Sequence, residues 1–437
     1  MSDSELYQNL VKSFSRFVPQ DFLELLNISD FSNIELGNQT EKKLTIMFSD
    51  IRGFTTLSEE LGPKETFDFL NRYLDGMVTV IRSNDGFVDK YIGDAILALF
   101  PGDTNDALRA SLAMLEELKK INQKKLTKKQ KTIEIGIGLN TGIVILGTLG
   151  NQQRMETTVI GDAVNLASRL ETLCKTYKVP LLISEHTLHD LDASFRSGIR
   201  FIDRTRVKGK FRPESVYEVF LHQAPEIIQA KQNSLESLEK GVAYYHLKAI
   251  KEAIPFFKIC LSIYPDDEIA LYYLNRCQSW LESGHFEGTG ELEFNFQWKK
   301  EYNLGIPMID QQHQQLLNQI SKLLYTVHHE GKTNWEEILH FLEEYVHLHF
   351  QTEEALMEKY NYPFLNEHRY EHHCFTENYL NLRRELYSER HDRLYLLFKI
   401  DLFLVDWLIN HTTKNDRHWA QFILQKGYAP THIPDQA

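Results

Sequence analysis

Apolar and polar positions change rhythm along the chain. Between 41 and 221, short runs of strand formers alternate with stretches of helical period. Leu44-Thr45-Ile46-Met47-Phe48 predicts a strand, and Thr56 to Leu61 behind it reads as the first turns of a helix. Phe67, Leu70, Tyr73, Leu74, Met77, Val80 and Ile81 recur at helical spacing. Phe87 to Phe100 predicts two strands joined by a tight turn at Gly93-Asp94. Ile133, Ile135, Ile137 and Leu139 alternate as a strand, with Asn140-Thr141-Gly142 predicted as a turn into Val144-Ile145-Leu146. A helix over 161–177 follows, then strands near 179–183, 199–203 and 215–220. The order predicts an α+β domain around a central sheet.

Elsewhere the helical period dominates. Residues 5 to 26 carry Leu6, Leu10, Val11, Phe14, Phe17, Phe22 and Leu25, the spacing of a helical lead-in interrupted near Pro19, which places a lead-in at 1–40. In 230–284, Gly241, Tyr244, Tyr245, Ala253, Phe257, Leu261 and Pro265 resemble one helix–turn–helix of the tetratricopeptide type, with Ala270 to Trp280 as a capping helix. A single such unit cannot bury its own face, so it reads as a spacer or dimer contact. His285 to Gly290 is a polar joint. Beyond it, four helices at about 310–329, 334–359, 365–387 and 393–412 predict a four-helix bundle, the core of a domain at 291–430.

The chain is thus multidomain, and its 437 residues allow for that. A hydrophobic content of 42% and a charged content of 25% describe an ordinary globular protein. The formal net charge of −13 argues against general nucleic-acid binding. The lysines of Lys119 to Lys131 read as a solvated loop. Cys174, Cys260, Cys277 and Cys374 are scattered without a CxxC pair, which suits a reducing compartment. The most apolar long stretch, Leu394 to Ile409, holds Lys399, Asp401 and Asp406, too short and too charged to span a bilayer. The expectation is a cytoplasmic protein with no membrane partner.

Candidate chemistry begins at Phe48-Ser49-Asp50-Ile51-Arg52-Gly53-Phe54-Thr55. Asp50 stands where a buried strand ends and a glycine turn begins, and Asp94 repeats that placement. Either aspartate alone would read as a turn residue. Together they suit two divalent ions, beside turn N–H groups able to face phosphate. FSDIRGFT, KYIGDAILALF and TVIGDAVNLASRLE resemble the catalytic domain of class III nucleotidyl cyclases, over about 41–222.

That resemblance implies a ferredoxin-like α+β fold, two Mg²⁺ or Mn²⁺ ions on Asp50 and Asp94, and ATP as substrate. In the family, the position of Lys90 contacts the base, and Thr158 is its partner. A lysine donates to adenine N1 and a hydroxyl accepts from the 6-amino group, whereas guanine would want a carboxylate. The pair is similar to that of adenylate cyclases carrying Thr rather than Asp. Asn165 and Arg169, four apart, share a helix face. The resemblance gives Asn165 the ribose and Arg169 the phosphate of the transition state, which a fork-shaped guanidinium suits. Lys208, with Lys210 as the fallback, matches the lysine on the polyphosphate. A head-to-tail homodimer is also implied, with Asp50 and Asp94 from one chain facing Lys90, Thr158, Asn165, Arg169 and Lys208 of the other.

A second constellation lies in the bundle. His349 and Glu353 are four apart, as are His368 and His372, so each pair shares a helix face. His313 lies on the first helix, and His411 and Asp416 end the fourth, although their spacing of five is not a same-face spacing on an α-helix. Facing helices of a bundle build dimetal sites, and histidine-rich ligation suits iron. His328, His329, His340, His347, His373 and His418 read as ordinary surface or core residues. Trp298 with IDQQH, HFQTEE, YPFLNEHRYEH and WLINHTTKND resembles the bacterial hemerythrins. This implies His368, His372 and His411 on one iron, His313 and His349 on the other, Glu353 and Asp416 bridging, and reversible O₂ binding. The combined expectation is an adenylate cyclase controlled by O₂ or redox state. The alternatives are a constitutive cyclase with a tethered oxygen- or iron-binding module, and a guanylate cyclase.

Overall fold

The computed structural model describes residues 13, 17–126, 132–151, 153–205, 213–284, 297–329, 335–388 and 392–428. Lys208, Lys210, the joint at 285–290 and residues 1–12 and 14–16 of the lead-in lie outside these. The chain divides into two compact units. The first comprises 1–203, 215–235 and 260–272, and the second 204–214, 236–259 and 273–437.

In the first unit a short helix α1 (Gln20–Leu25) precedes strand β1 (Gln39–Ile51), helices α2 (Phe54–Leu61) and α3 (Pro63–Arg82), and the hairpin β2 (Phe87–Ile92) and β3 (Ala95–Phe100). Helix α4 (Thr104–Leu126), β4 (Ile135–Asn151), β5 (Arg154–Ile160), α5 (Asp162–Tyr177), β6 (Leu181–Ser184) and α6 (Glu185–Asp190) follow. Strands β7 (Ile199–Thr205) and β8 (Glu214–Val219) complete a sheet ordered β2-β3-β1-β4-β6-β8-β7, with β5 pairing on β4. Phe22 of α1 is buried with Leu44, Ile46, Leu99 and Val144, so the end of the lead-in joins the core under the sheet.

Two sequence expectations fail here. Asn140-Thr141-Gly142 is not a turn: β4 runs straight through it, with Ile46, Thr45 and Leu44 of β1 opposite. Two of its polar side-chain groups bond to residues elsewhere in the fold. Thr141 Oγ1 lies 2.9 Å from Thr45 Oγ1, and Asn140 Nδ2 donates to the Ala163 carbonyl at 2.9 Å. A Cβ at Gly142 would stand 2.9 Å from that of Ala163, so close packing by α5 demands glycine. The lysine stretch does not begin as a loop either. Helix α4 continues to Leu126, and Lys119 and Lys120 pair with Glu116 and Glu117 one turn back.

After β8 come helices α7 (Pro225–His246), α8 (Ile250–Ile263) and α9 (Glu268–Ser283). In the second unit, Gly241 leaves room for the Phe257 ring, 2.7 Å from where a Cβ would sit, and Phe257 stacks on Tyr273 at 5.2 Å. The bundle consists of α10 (Pro307–His329), α11 (Trp335–Lys359), α12 (Leu365–Tyr387) and a fourth rod over 393–425. Its core includes Leu316, Ile320, Leu342, Phe375, Leu397 and Leu404. The fourth rod does not end near 412. It runs α13 (Arg393–Ile400), a π-turn (Asp401–Asp406), α14 (Trp407–His411), a second π-turn (Thr412–Asp416) and α15 (Arg417–Gln425).

Candidate active site and metal centre

Asp50 is the penultimate residue of β1, and Asp94 sits in the turn between β2 and β3, strands held beside it by the pairing Ser49↔Ile96. The turn after Asp50 and the turn that holds Asp94 both need positive φ, +66° at Gly53 and +69° at Gly93, and neither glycine is crowded, so backbone conformation alone selects it. Burial and the neighbouring Asp50 carboxylate push Asp94 up to about 7. Two carboxylates that resist sharing a place as anions are an arrangement a divalent cation relieves.

Lys90 and Thr158 meet: the Lys90 ammonium donates to Thr158 Oγ1 and to the Thr157 carbonyl, each at 3.1 Å. Asp89 stands 3.5 Å from the same ammonium with a fully buried side chain, and burial pushes it up to about 6. A bulge between Val88 and Lys90 brings these successive residues together. Asn165 and Arg169 share one side of α5, Asn165 exposed and Arg169 half-buried, and neither bonds to a described residue. Asp50 with Asp94, Lys90 with Thr158, and Asn165 with Arg169 are three local groupings. Lys208 and Lys210 are not among the described residues.

In the bundle all seven expected ligands converge. His313, His349, Glu353, His368, His372, His411 and Asp416 are each at most 4% exposed. Glu353, His368, His372 and His411 form one group whose donor atoms lie within 4.8 Å of one another, and His313, His349 and Glu353 form another. The carboxylates straddle the two. Glu353 Oε1 is 3.5 Å from Nε2 of both His313 and His349, and its Oε2 is 3.2 Å from Nε2 of both His368 and His372. Asp416 Oδ2 is 3.2 Å from His313 Nε2, and its Oδ1 is 3.0 Å from His411 Nε2 and 3.5 Å from His368 Nε2. The Nε2 atoms of His313, His349, His372 and His411 are buried without a hydrogen bond. Burial lowers His349 to about 3. Burial would lower His411 and His313 too, but the acceptors Asp416, Glu371 and Glu353 outweigh it and raise them to about 10 and about 9. Orphaned nitrogens facing carboxylates that demand positive charge fit a pair of cations, and the His/carboxylate donor set fits iron.

The π-turn explains the spacing of five. On an α-helix, residues five apart point roughly 140° apart. The wider i→i+5 turn puts His411 and Asp416 on one face.

Residues 36–223 match the adenylate and guanylate cyclase catalytic domain, and residues 304–423 match the hemerythrin HHE cation-binding domain. The chain carries a class III cyclase domain and a C-terminal hemerythrin domain. Its relatives include an adenylate cyclase of Anabaena cylindrica, 45% identical over 47% of this chain and 42% of that protein. Another is the terminal-differentiation-specific adenylate cyclase of Dictyostelium discoideum, 37% identical over 62% of this chain and 13% of that protein. The chain therefore spans less than half of either relative's length. A bacterial light-regulated adenylyl cyclase of known structure is 28% identical, with a TM-score of 0.44, over 53% of this chain and 69% of that one.

Sequence reasoning missed residues that bond to the rings of three expected ligands. Gln312 Oε1 lies 3.0 Å from His349 Nδ1, Glu354 Oε1 2.9 Å from His372 Nδ1, and Glu371 Oε2 3.2 Å from His411 Nδ1. Such partners fix ring orientation and raise ligand basicity. Gln312, Glu354 and Glu371 are each the direct sequence neighbour of an expected ligand, His313, Glu353 and His372. Aromatic rings wedge the site: Phe350 stacks on His372 at 3.7 Å, and Trp407 on His411 at 4.2 Å. In the cyclase domain, Arg52 pairs with Glu171 Oε1 at 3.1 Å and donates to the Glu171 carbonyl at 3.0 Å, tying the Asp50 turn to α5. All four cysteines are buried thiols. Among the described residues no helix is long and apolar enough to cross a membrane.

Proposed function

We propose that this chain is an adenylate cyclase that converts ATP to 3′,5′-cyclic AMP and pyrophosphate, with output set by O₂ or redox state at the hemerythrin domain's di-iron centre. The observation that carries the choice of ATP is the Lys90–Thr158 contact, which offers a donor and an acceptor in the order adenine requires. Asp50 and Asp94 would hold two Mg²⁺ or Mn²⁺ ions, which when bound would supply positive charge beside the triphosphate and the ribose 3′-hydroxyl. Asn165 orients the ribose, Arg169 carries the charge that develops on the transferred phosphate, and Lys208 holds the polyphosphate.

These groupings work across a head-to-tail homodimer. Exposed Tyr91, Ile92, Ile145, Leu149, Met155 and Ile160, all on the β2–β3 and β4–β5 hairpins, supply an apolar face for the partner copy. The three helices at 230–284 act as a tetratricopeptide-like linker, and the protein works in the cytoplasm without a nucleic-acid or membrane partner.

In the bundle, His368, His372 and His411 would hold one iron and His313 and His349 the other, with Glu353 and Asp416 available to both. A diferrous pair so held would supply reversible O₂ binding. A ligand shifts output only by binding the active and inactive arrangements unequally. The test is cyclic AMP formation with Mn²⁺ on iron-loaded protein in its diferrous, oxygenated and diferric states. A rate that follows the absorption spectrum, and ceases to in His372→Ala, supports regulation. A rate indifferent to iron leaves a constitutive cyclase with a tethered oxygen carrier. Faster turnover of GTP than ATP refutes the choice of substrate.

A further inference from the structure

The charge on Lys90 is not answered by its two hydrogen-bond acceptors. Thr158 Oγ1 and the Thr157 carbonyl each lie 3.1 Å from its ammonium, and both are neutral. The carboxylate beside it belongs to Asp89, one residue back, with Oδ2 3.5 Å from Nζ. The Asp89 side chain is fully buried, whereas that of Lys90 keeps 31% of its surface. Neither Asp89 oxygen has a hydrogen-bond partner among the described residues. Burial pushes Asp89 up to about 6, with Lys90 pulling against it, so it stands as an anion at neutral pH. Glu156 also feels Lys90, but it is exposed and Arg154 is its main partner.

A regular strand would forbid this contact, because successive side chains point to opposite faces. Asp89 and Lys90 meet because β2 is irregular between them. Val88 faces Ala98 and Lys90 faces Leu97, which leaves Asp89 as the extra residue of a bulge. A bulge re-aims a side chain and disrupts the ladder locally. A buried carboxylate without a hydrogen bond costs stability as well. Both unfavourable features act at one point, and both bring a negative charge to Lys90.

The distance matters for what Lys90 can still donate. An ammonium has three protons, and Thr157 and Thr158 accept two of them. Asp89 offsets the charge from 3.5 Å without taking the third in a hydrogen bond. That proton is left for an acceptor on the substrate, and adenine N1 is such an acceptor.

We infer that Asp89 is a positioning residue for base recognition: its carboxylate keeps Lys90 charged and turned so that the third ammonium proton meets N1 of the substrate. This rests on the adenylate cyclase reading above. The experiment uses full-length protein with Mn²⁺ at one fixed iron state. It compares ATP with 1-deaza-ATP, which carries carbon, and so no acceptor, in place of N1.

Wild type is expected to favour ATP about 10- to 100-fold in kcat/KM, the scale of a hydrogen bond from a charged donor. Asp89→Asn keeps the shape and removes the charge. It is expected to bring that ratio below about threefold, chiefly by raising KM for ATP, because a base contact is made alike in the ground and transition states. KM for 1-deaza-ATP is expected to move less than about twofold. A carboxylate that served only to hold the hairpin would weaken both substrates together. An unchanged ratio in Asp89→Asn therefore overturns the inference alone. A wild type indifferent to N1 overturns both the inference and the assignment of Lys90 to the base. If Asp89→Asn fails to fold, Asp89→Leu, similar in shape and uncharged, decides by the same ratio.

Discussion

Replacing Thr158 by valine removes one oxygen and keeps the shape. Lys90 retains the Thr157 carbonyl at 3.1 Å and Asp89 at 3.5 Å, so its ammonium stays in place. On the proposed reading, what disappears is the acceptor for the adenine 6-amino group. Leaving one such donor unpaired costs about 1–3 kcal/mol. That is about a 5- to 150-fold fall in kcat/KM for ATP at 1.36 kcal/mol per tenfold. GTP presents an oxygen at that position and loses no acceptor, so its rate is expected to change less than about twofold. The assay separates cyclic AMP from cyclic GMP chromatographically after single-substrate reactions with Mn²⁺ at one fixed iron state. An ATP-to-GTP ratio within about twofold of wild type, in folded protein, refutes the assignment of Thr158. Lys90→Met serves as the contrasting variant. It strips the buried Asp89 carboxylate of its ammonium, so it should lower Tm at pH 8 as well as activity, whereas Thr158→Val should lower activity alone.

Three further outcomes follow from particular contacts. Glu218 accepts from Arg200 Nε and Lys231 Nζ, each at 2.6 Å; burial opposes its charge, but these two cations outweigh it and lower it from 4.5 to about 2. The network therefore contributes about 3 kcal/mol that is fully present above pH 4.5 and fades as pH falls towards 2. Glu218→Gln should flatten that acid limb in denaturant titrations and cost about 3–5 kcal/mol at neutral pH. Gly136→Ala would set a methyl group on the Arg52 guanidinium, loosening α5 at a cost of about 1–3 kcal/mol in stability and lowering cyclase activity, as melting and rate assays would register. Glu354→Gln should weaken iron binding about 10- to 100-fold in chelator competition, and an unchanged affinity would remove Glu354 from its supporting role.

The parts of the site that the sequence made legible are those where local chemistry and local geometry coincide. Asp50 and Asp94 lie at strand ends beside glycines that need positive φ, and both the turn and the carboxylate are written in the same few residues. His349 with Glu353 and His368 with His372 obey the ordinary helical period. Local composition misleads where partners are distant. Asn140-Thr141-Gly142 has turn composition, yet its polar groups find Thr45 and Ala163 across the fold and its glycine answers to α5 packing. The π-turns were hidden because an assumed period of 3.6 makes five residues look like a mismatch. A signal for Arg204, the partner of Asp401 and Asp406, did exist. Asp401 and Asp406 interrupt an apolar run, and buried acids in such a run require a cation; their reading went no further than excluding a membrane span.

The second compact unit is drawn from three separate stretches, 204–214, 236–259 and 273–437. Within it Tyr395 donates to Glu239 at 2.9 Å, and the His246 ring stacks on Phe398 at 6.1 Å. The consequence concerns inheritance. A recombination breakpoint anywhere between 223 and 304 looks, in a linear map, like a clean exchange of one C-terminal domain for another. In this fold a breakpoint beyond 246 would leave behind Arg204, Glu239 and His246, and an incoming bundle would arrive without the groups its last rod is cut to fit. Such a chain is free to change its hemerythrin domain residue by residue, but it cannot trade that domain whole unless the donor brings the matching strand end and helix.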